Sequence, residues 1–161
     1  MNSPSPLEDL SVAPGLPPGA VPEVLGECIG YLLGRSHALI RSRAELAFAE
    51  KGLSVKEYGV LCILHTEESS SQQALAERLG VDRTTMSSTV DGLVRRSLVR
   101  RTRNPRDRRA YRVWMTAEGY RTAEEIEERA AAIDKEFTDR LSEDEARRLK
   151  QLLGKLIASW G

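Results

Sequence analysis

The stretch QQALAERLGVDRTTM, residues 72–86, decides the fold. Leu75, Leu79, Val81 and Met86 recur at the spacing of two short helices locked face to face. Ala76 is small where the second helix must cross closely. Gly80 suits the left-handed residue that ends the first helix. Asp82 is an N-cap for the second, since its carboxylate can accept from backbone N–H groups left open at a helix start. The pattern reads as a helix-turn-helix.

The second of these helices extends to about residue 96 and is two-faced. Met86, Val90 and Leu93 make the buried stripe, leaving Arg83, Thr84, Thr85, Ser87, Ser88 and Asp91 outward or at its edges. Short hydroxyl side chains let a helix approach base edges closely, and their methyl and hydroxyl groups suit thymine and phosphate. Two strand-like runs follow, Leu98 to Arg103 and Ala110 to Met115, joined by Asn104-Pro-Arg-Asp-Arg. Arg106, Arg108 and Arg109 sit at the tip of this hairpin, where guanidinium groups would be drawn into a narrow, strongly negative minor groove. Asp107 among them would be repelled by DNA, so its expected part is to orient a neighbouring guanidinium through a bidentate pair.

Charge supports a local anionic partner. The chain has 24 basic and 24 acidic residues, but between Ser71 and Thr116 eleven Arg face only four acids. That segment is +7 and the rest is −7. A generally solvated surface would mix the signs. Ser71, Gln72, Arg95 and Arg101 are expected phosphate contacts, while Arg96, Arg100 and Arg103 either touch phosphate or solvate the strands.

Outward from this core the pattern is helical. Apolar residues from Leu25 to Leu46 recur at helical spacing, Gly52 closes the run, and Ser54-Val-Lys-Glu57 is a capping box for a helix striped by Tyr58, Leu61, Cys62 and Leu64. Residues 66–70 read as a polar loop. Thr116 caps a helix through Ile126, Ala130, Ile133 and Phe137, and a second capping box, Ser142 to Glu145, opens a last helix striped by Leu149, Leu152, Leu153, Leu156, Ile157 and Trp160. Residues 1–20 carry five prolines and few large apolar residues, which predicts a flexible tail. The order is α-α-α-α-β-β-α-α. The fold class is mainly α, an α+β winged helix-turn-helix at 53–116 with helical dimerisation segments at 21–52 and 117–161. The terminal helices expose apolar stripes that a second copy of the chain would cover.

No apolar run reaches the roughly 18 residues of a membrane span, and the N-terminus lacks a secretory pattern, so a cytoplasmic protein without membrane contact is expected. Cys28, Cys62, His37 and His65 have no metal-ligand or disulfide spacing, so neither metal nor cofactor is expected. The two cysteines read as buried structural thiols. A Gly-rich phosphate loop and a nucleophile elbow are both lacking, which argues against an enzyme.

The sequence Leu75-Ala76…Leu79-Gly80-Val81-Asp82-Arg83-Thr84-Thr85, then Val90-Asp91-Gly92-Leu93, Leu98-Val99-Arg100-Arg101, Asn104-Pro105-Arg106-Asp107-Arg108-Arg109-Ala110 and Met115-Thr116-Ala117-Glu118-Gly119 resembles the MarR family over about residues 24–160. The resemblance implies a homodimeric regulator, expected to be a repressor, that binds double-stranded DNA at a pseudo-palindromic operator. Recognition helices would enter major grooves and wings the flanking minor grooves, with Arg109 of the Asp107-x-Arg109 pair as the minor-groove residue. Ser97 stands where the family usually has Gly, so the helix end there is expected to be strained. Ser88 replaces a frequent Arg, implying altered base preference. Family members commonly respond to small aromatic acids or oxidants. His37, Arg41, Tyr58 and His65 are effector-pocket candidates by position, and a small aromatic or acidic molecule is the expected effector. A redox regulator of the same fold using Cys28 is one alternative, and a protein-interaction module retaining a winged helix is another.

Overall fold

The structure of the chain is a computed structural model; it describes residues 23–104 and 107–160, and the side chains of 24–103 and 111–159. The expected tail at 1–20, the side chains of Asp107, Arg108 and Arg109, that of Trp160, and all of Arg106 lie outside the described residues. The chain divides into two compact units at Ser42/Arg43.

In the first unit, α1 (Glu23–Gly26) and the start of α2 (Ile29–Ala49) replace the single expected helix. Cys28 lies in the break between them: its amide donates to Leu25 O at 3.1 Å and its carbonyl accepts from Leu32 at 3.0 Å. The expected burial of this thiol is corrected, because Cys28 is exposed. Apolar spacing could not reveal a break whose flanks share one period. Ile29, Leu33 and Leu39 of α2 are also exposed.

The second unit holds the core. The last turn of α2 contributes Phe48, and Gly52, at φ +66°, turns the chain into α3 (Val55–Thr66). The capping box forms as read: Ser54 Oγ accepts from Glu57 N, and Glu57 Oε2 accepts from Ser54 N. Next come β1 (Ser70–Ser71), α4 (Gln72–Leu79) and α5 (Arg83–Arg95), then β2 (Val99–Asn104), β3 (Asp107–Met115), α6 (Ala117–Thr138) and α7 (Glu143–Trp160). Val60, Leu61, Leu64, Leu75, Val90, Leu93, Val113 and Ile126 are fully buried, so α3, α4, α5, α6 and β3 close on one core.

The three strands form an antiparallel sheet in the order β1-β3-β2, with Ser70 opposite Val113 and Arg101 opposite Val113 on the other edge. Two expectations are corrected here. The polar loop at 66–70 ends in β1, a two-residue strand too short to show alternation, created by pairing with residues more than 40 positions away. The hairpin is also longer than its apolar residues suggested, since β2 runs to Asn104 and β3 begins at Asp107. Backbone pairing ignores side-chain polarity, so Arg-rich ends read as loop can still extend a ribbon.

Two contacts fix α6 to the end of α5. Thr116 Oγ1 donates toward the carbonyls of Ser97 (2.7 Å) and Leu98 (3.0 Å) and accepts from Gly119 N. A Cβ at Gly119 would collide with the Leu98 carbonyl, so this close approach needs glycine. In α7, by contrast, Leu149, Leu152, Leu156 and Ile157 are all exposed, Ile157 by 75%. Among the described residues, no helix is long and apolar enough to cross a membrane.

Candidate nucleic-acid interface

The turn between α4 and α5 has the geometry its residues require. Gly80 caps α4 at φ +61°, and its amide reaches back to Ala76 and Glu77. Asp82 caps α5: Oδ1 accepts from Thr85 N at 2.9 Å and Oδ2 from Thr85 Oγ1 at 2.5 Å. The Thr85 hydroxyl and amide beside it hold the Asp82 carboxyl below the ordinary carboxylate range. Met86, Val90 and Leu93 form the buried stripe, and Thr89 is buried beside them with its hydroxyl on Thr85 O.

On the opposite side of α5, Arg83, Thr84, Ser87 and Ser88 are exposed and Thr85 is half-buried. Their hydroxyls are not equivalent. Thr85 is engaged by the cap, and Ser88 Oγ donates to Thr85 O at 2.9 Å. At the start of α4, Ser71 Oγ accepts from Ala74 N at 3.1 Å, and the Nε2 of Gln72 is buried with no hydrogen-bond partner among the described residues.

The arginines divide by what they touch. Arg95, Arg100 and Arg103 are exposed, with Arg100 stacked 5.1 Å from the Trp114 ring. Trp114 in turn donates Nε1–H to Thr102 Oγ1 across the hairpin at 2.8 Å. Arg101 reaches α5 instead, donating to Asp91 Oδ1 at 2.6 Å and Ser87 O at 3.3 Å. Arg112 donates to Ser69 Oγ and Ser69 O, fastening the segment before β1 to β3. Arg96 is half-buried against Glu57. None of these three pairings was legible in the sequence, because the partners lie 10, 43 and 39 residues apart and no local spacing links them.

Of the effector-pocket residues, Tyr58 and His65 stand on α3 with different neighbours. Tyr58 packs on Phe48 at 4.9 Å between ring centroids, while His65 faces Tyr120 at 5.7 Å. Burial pushes the Tyr58 phenol up, helped by its neighbour Cys62. The half-buried Cys62 thiol is also pushed up by burial, against an opposing hydrogen bond with Tyr58. His37 and Arg41 are exposed on the first unit's part of α2.

Comparison with known proteins agrees with this geometry. The sequence model of the MarR family matches residues 53–111. A transcriptional regulatory protein assigned to the hcr operon of Thauera aromatica is 33% identical over 129 residues, covering 80% of this chain and 78% of that protein. A MarR-family regulator from Rhodococcus sp. RHA1 superposes with a TM-score of 0.76 at 27% identity, covering 80% of this chain and 91% of that one. CouR from Rhodococcus jostii RHA1, solved with p-coumaroyl-CoA bound, gives 0.74 at 26% identity over 82% of this chain and 93% of its own.

Proposed function

Because the chain belongs to the MarR family of DNA-binding transcriptional regulators, we propose that it acts as a homodimeric repressor on a pseudo-palindromic operator, released by a small aromatic or acidic effector. The observation that carries this reading is the two-sided α5. Its apolar stripe is sealed into the core, while Arg83, Thr84, Ser87 and Ser88 stand exposed within a segment of charge +7.

In this reading α5 lies in the major groove. Arg83, Thr84, Thr85, Ser87 and Ser88 form its reading edge, and Ser71, Gln72 and Arg95 lie along the phosphates. Arg106, Arg108 and Arg109 enter the minor groove, with Asp107 orienting Arg109. Dimerisation uses the exposed stripes of α2 and α7, each an apolar face that water would otherwise solvate. The effector reading rests on the aromatic acyl thioester bound by CouR and on Tyr58, whose hydroxyl-bearing ring is only partly covered.

Fluorescence-anisotropy titration against a labelled duplex from upstream of its own coding region tests the assignment. Affinity should fall with salt at a log-log slope of about −0.9 per phosphate neutralised. Arg109→Ala should lose about 1–3 kcal/mol of binding with the dimer intact. A flat salt response, or an Arg109→Ala affinity equal to wild type, would refute the arginine footprint.

A further inference from the structure

Arg96 sits at the C-cap of α5 and belongs to the arginine-dense segment, yet its guanidinium points into the protein. Nη2 donates to Glu57 Oε1, Nη1 donates to the carbonyl of Gly52, and Nε lies 3.4 Å from the carbonyl of its own helix residue Gly92. One planar fork therefore ties the end of α5 to both the α2–α3 turn and the first turn of α3. Glu57 is held from two sides. Its Oε2 accepts from Ser54 N at 2.9 Å and Ser54 Oγ at 3.0 Å, which leaves Oε1 aimed at Arg96. Gly92 completes the arrangement, since a Cβ there would stand 2.6 Å from Glu57 Oε1. The Glu57 side chain is only 14% exposed and that of Arg96 31%, so the pair is shielded from the screening that weakens surface ion pairs.

The geometry points to Arg96 and Glu57 as a latch that sets the orientation of α5 for DNA, with Arg96 a positioning residue and not a phosphate contact. The latch rests on the DNA-binding reading of α5. Its mechanical sense comes from where it grips. The far end of α5 is fixed by the Asp82 cap, and the chain just beyond α5 is bolted to α6 through Thr116. Arg96 adds a third restraint, to the α2–α3 turn. A rigid recognition helix needs its exit angle defined, because a small misplacement costs several base contacts together. Arginine is required for this role, since a lysine ammonium cannot present donors to a carboxylate and a turn carbonyl in one plane.

The two roles for Arg96 give opposite signs for one substitution. If Arg96 were a phosphate contact held back by Glu57, Glu57→Gln would free a cation, remove an anion and strengthen DNA binding. With the latch, Glu57→Gln weakens binding about five- to thirtyfold. Arg96→Gln and Arg96→Lys weaken it similarly at an unchanged salt slope, and the double variant Glu57→Gln/Arg96→Gln is no worse than either single one. Ile126→Val, which trims a fully buried core side chain on α6 and leaves both latch residues and Ser54 in place, controls for general loss of stability and should keep wild-type affinity.

These affinities are measured on the full chain with the duplex and salt series used above. Hydrogen exchange of residues 92–98 without DNA supplies a second readout, and it should speed up more in Glu57→Gln than in Ile126→Val. Tighter binding by Glu57→Gln, retained affinity in Arg96→Lys, or a slope reduced by about 0.9 in Arg96→Gln would overturn the latch while leaving the DNA reading standing. Absence of salt-dependent binding by wild type would overturn the DNA reading itself, and the latch's role with it.

Discussion

Helices α5 and α7 are both amphipathic, but they keep their apolar faces in opposite circumstances. Met86, Val90 and Leu93 of α5 are sealed against α3, α4 and the sheet within one chain. Leu149, Leu152, Leu156 and Ile157 of α7 have the same helical spacing and stay exposed. The ends differ too. Helix α5 is capped by Asp82, latched by Arg96 and followed by the Ser97–Thr116 bond, whereas α7 has its Ser142–Glu145 capping box at one end. The difference teaches that equal periodicity does not mean equal burial. One stripe is completed by its own chain, and the other, in the reading proposed here, by a second copy.

The largest effect should come from breaking α7. Replacing Leu152 and Leu156 together by Glu should convert the dimer to monomer in sedimentation. DNA affinity should then fall about 10²- to 10⁴-fold, as two linked half-site contacts become independent. A dimer persisting in that variant would show that α7 is not the joint.

Leu93→Ala attacks the other side of the comparison. It should cost about 2–5 kcal/mol of folding stability in urea titration, because Leu93 is fully buried and its removal leaves a cavity. Leu156→Ala should instead make thermal stability depend more steeply on protein concentration, as expected for a stripe buried between chains.

Ser97 sharpens the picture at the end of α5. It adopts φ +59°, the strained left-handed conformation expected where the family usually has Gly. Ser97→Gly should therefore raise stability by about 1 kcal/mol in thermal denaturation, with DNA affinity little changed.

The smallest effect concerns the Asp82 cap. The folded pKa is lowered below 3.8, chiefly by the Thr85 hydroxyl. Its contribution is complete above that unfolded value and is lost as the pH falls through the lower folded value. Comparing Asp82→Asn with wild type between pH 6 and 2.5 should show the wild-type advantage shrinking only at the acid end. A constant difference across that range would remove the charged cap from the account of α5.

The interface was legible to different depths. Caps and turns were readable at Ser54, Gly80, Asp82 and Thr116 because each depends on residues within about four positions. The buried stripe of α5 was readable because one period specifies one face. The division of labour among the arginines was not. Arg95 and Arg100 are exposed while Arg96 and Arg101 are turned inward, and nothing in their adjacent positions distinguishes them. Nor did apolar spacing distinguish exposed Cys28 from half-buried Cys62.

Local chemistry was enough for the helix-turn-helix, its caps, the left-handed Gly80 and the positive segment, since each follows from backbone hydrogen bonding or charge along a short stretch. Tertiary packing alone decided that Ser70 and Ser71 would become a strand, that Arg101 would pair with Asp91, and that Arg96 would close on Glu57. The physical reason is range. A cap is satisfied by its nearest neighbours, but a long cationic side chain takes whichever acceptor the fold brings within about 3 Å, and sequence distance does not encode that choice.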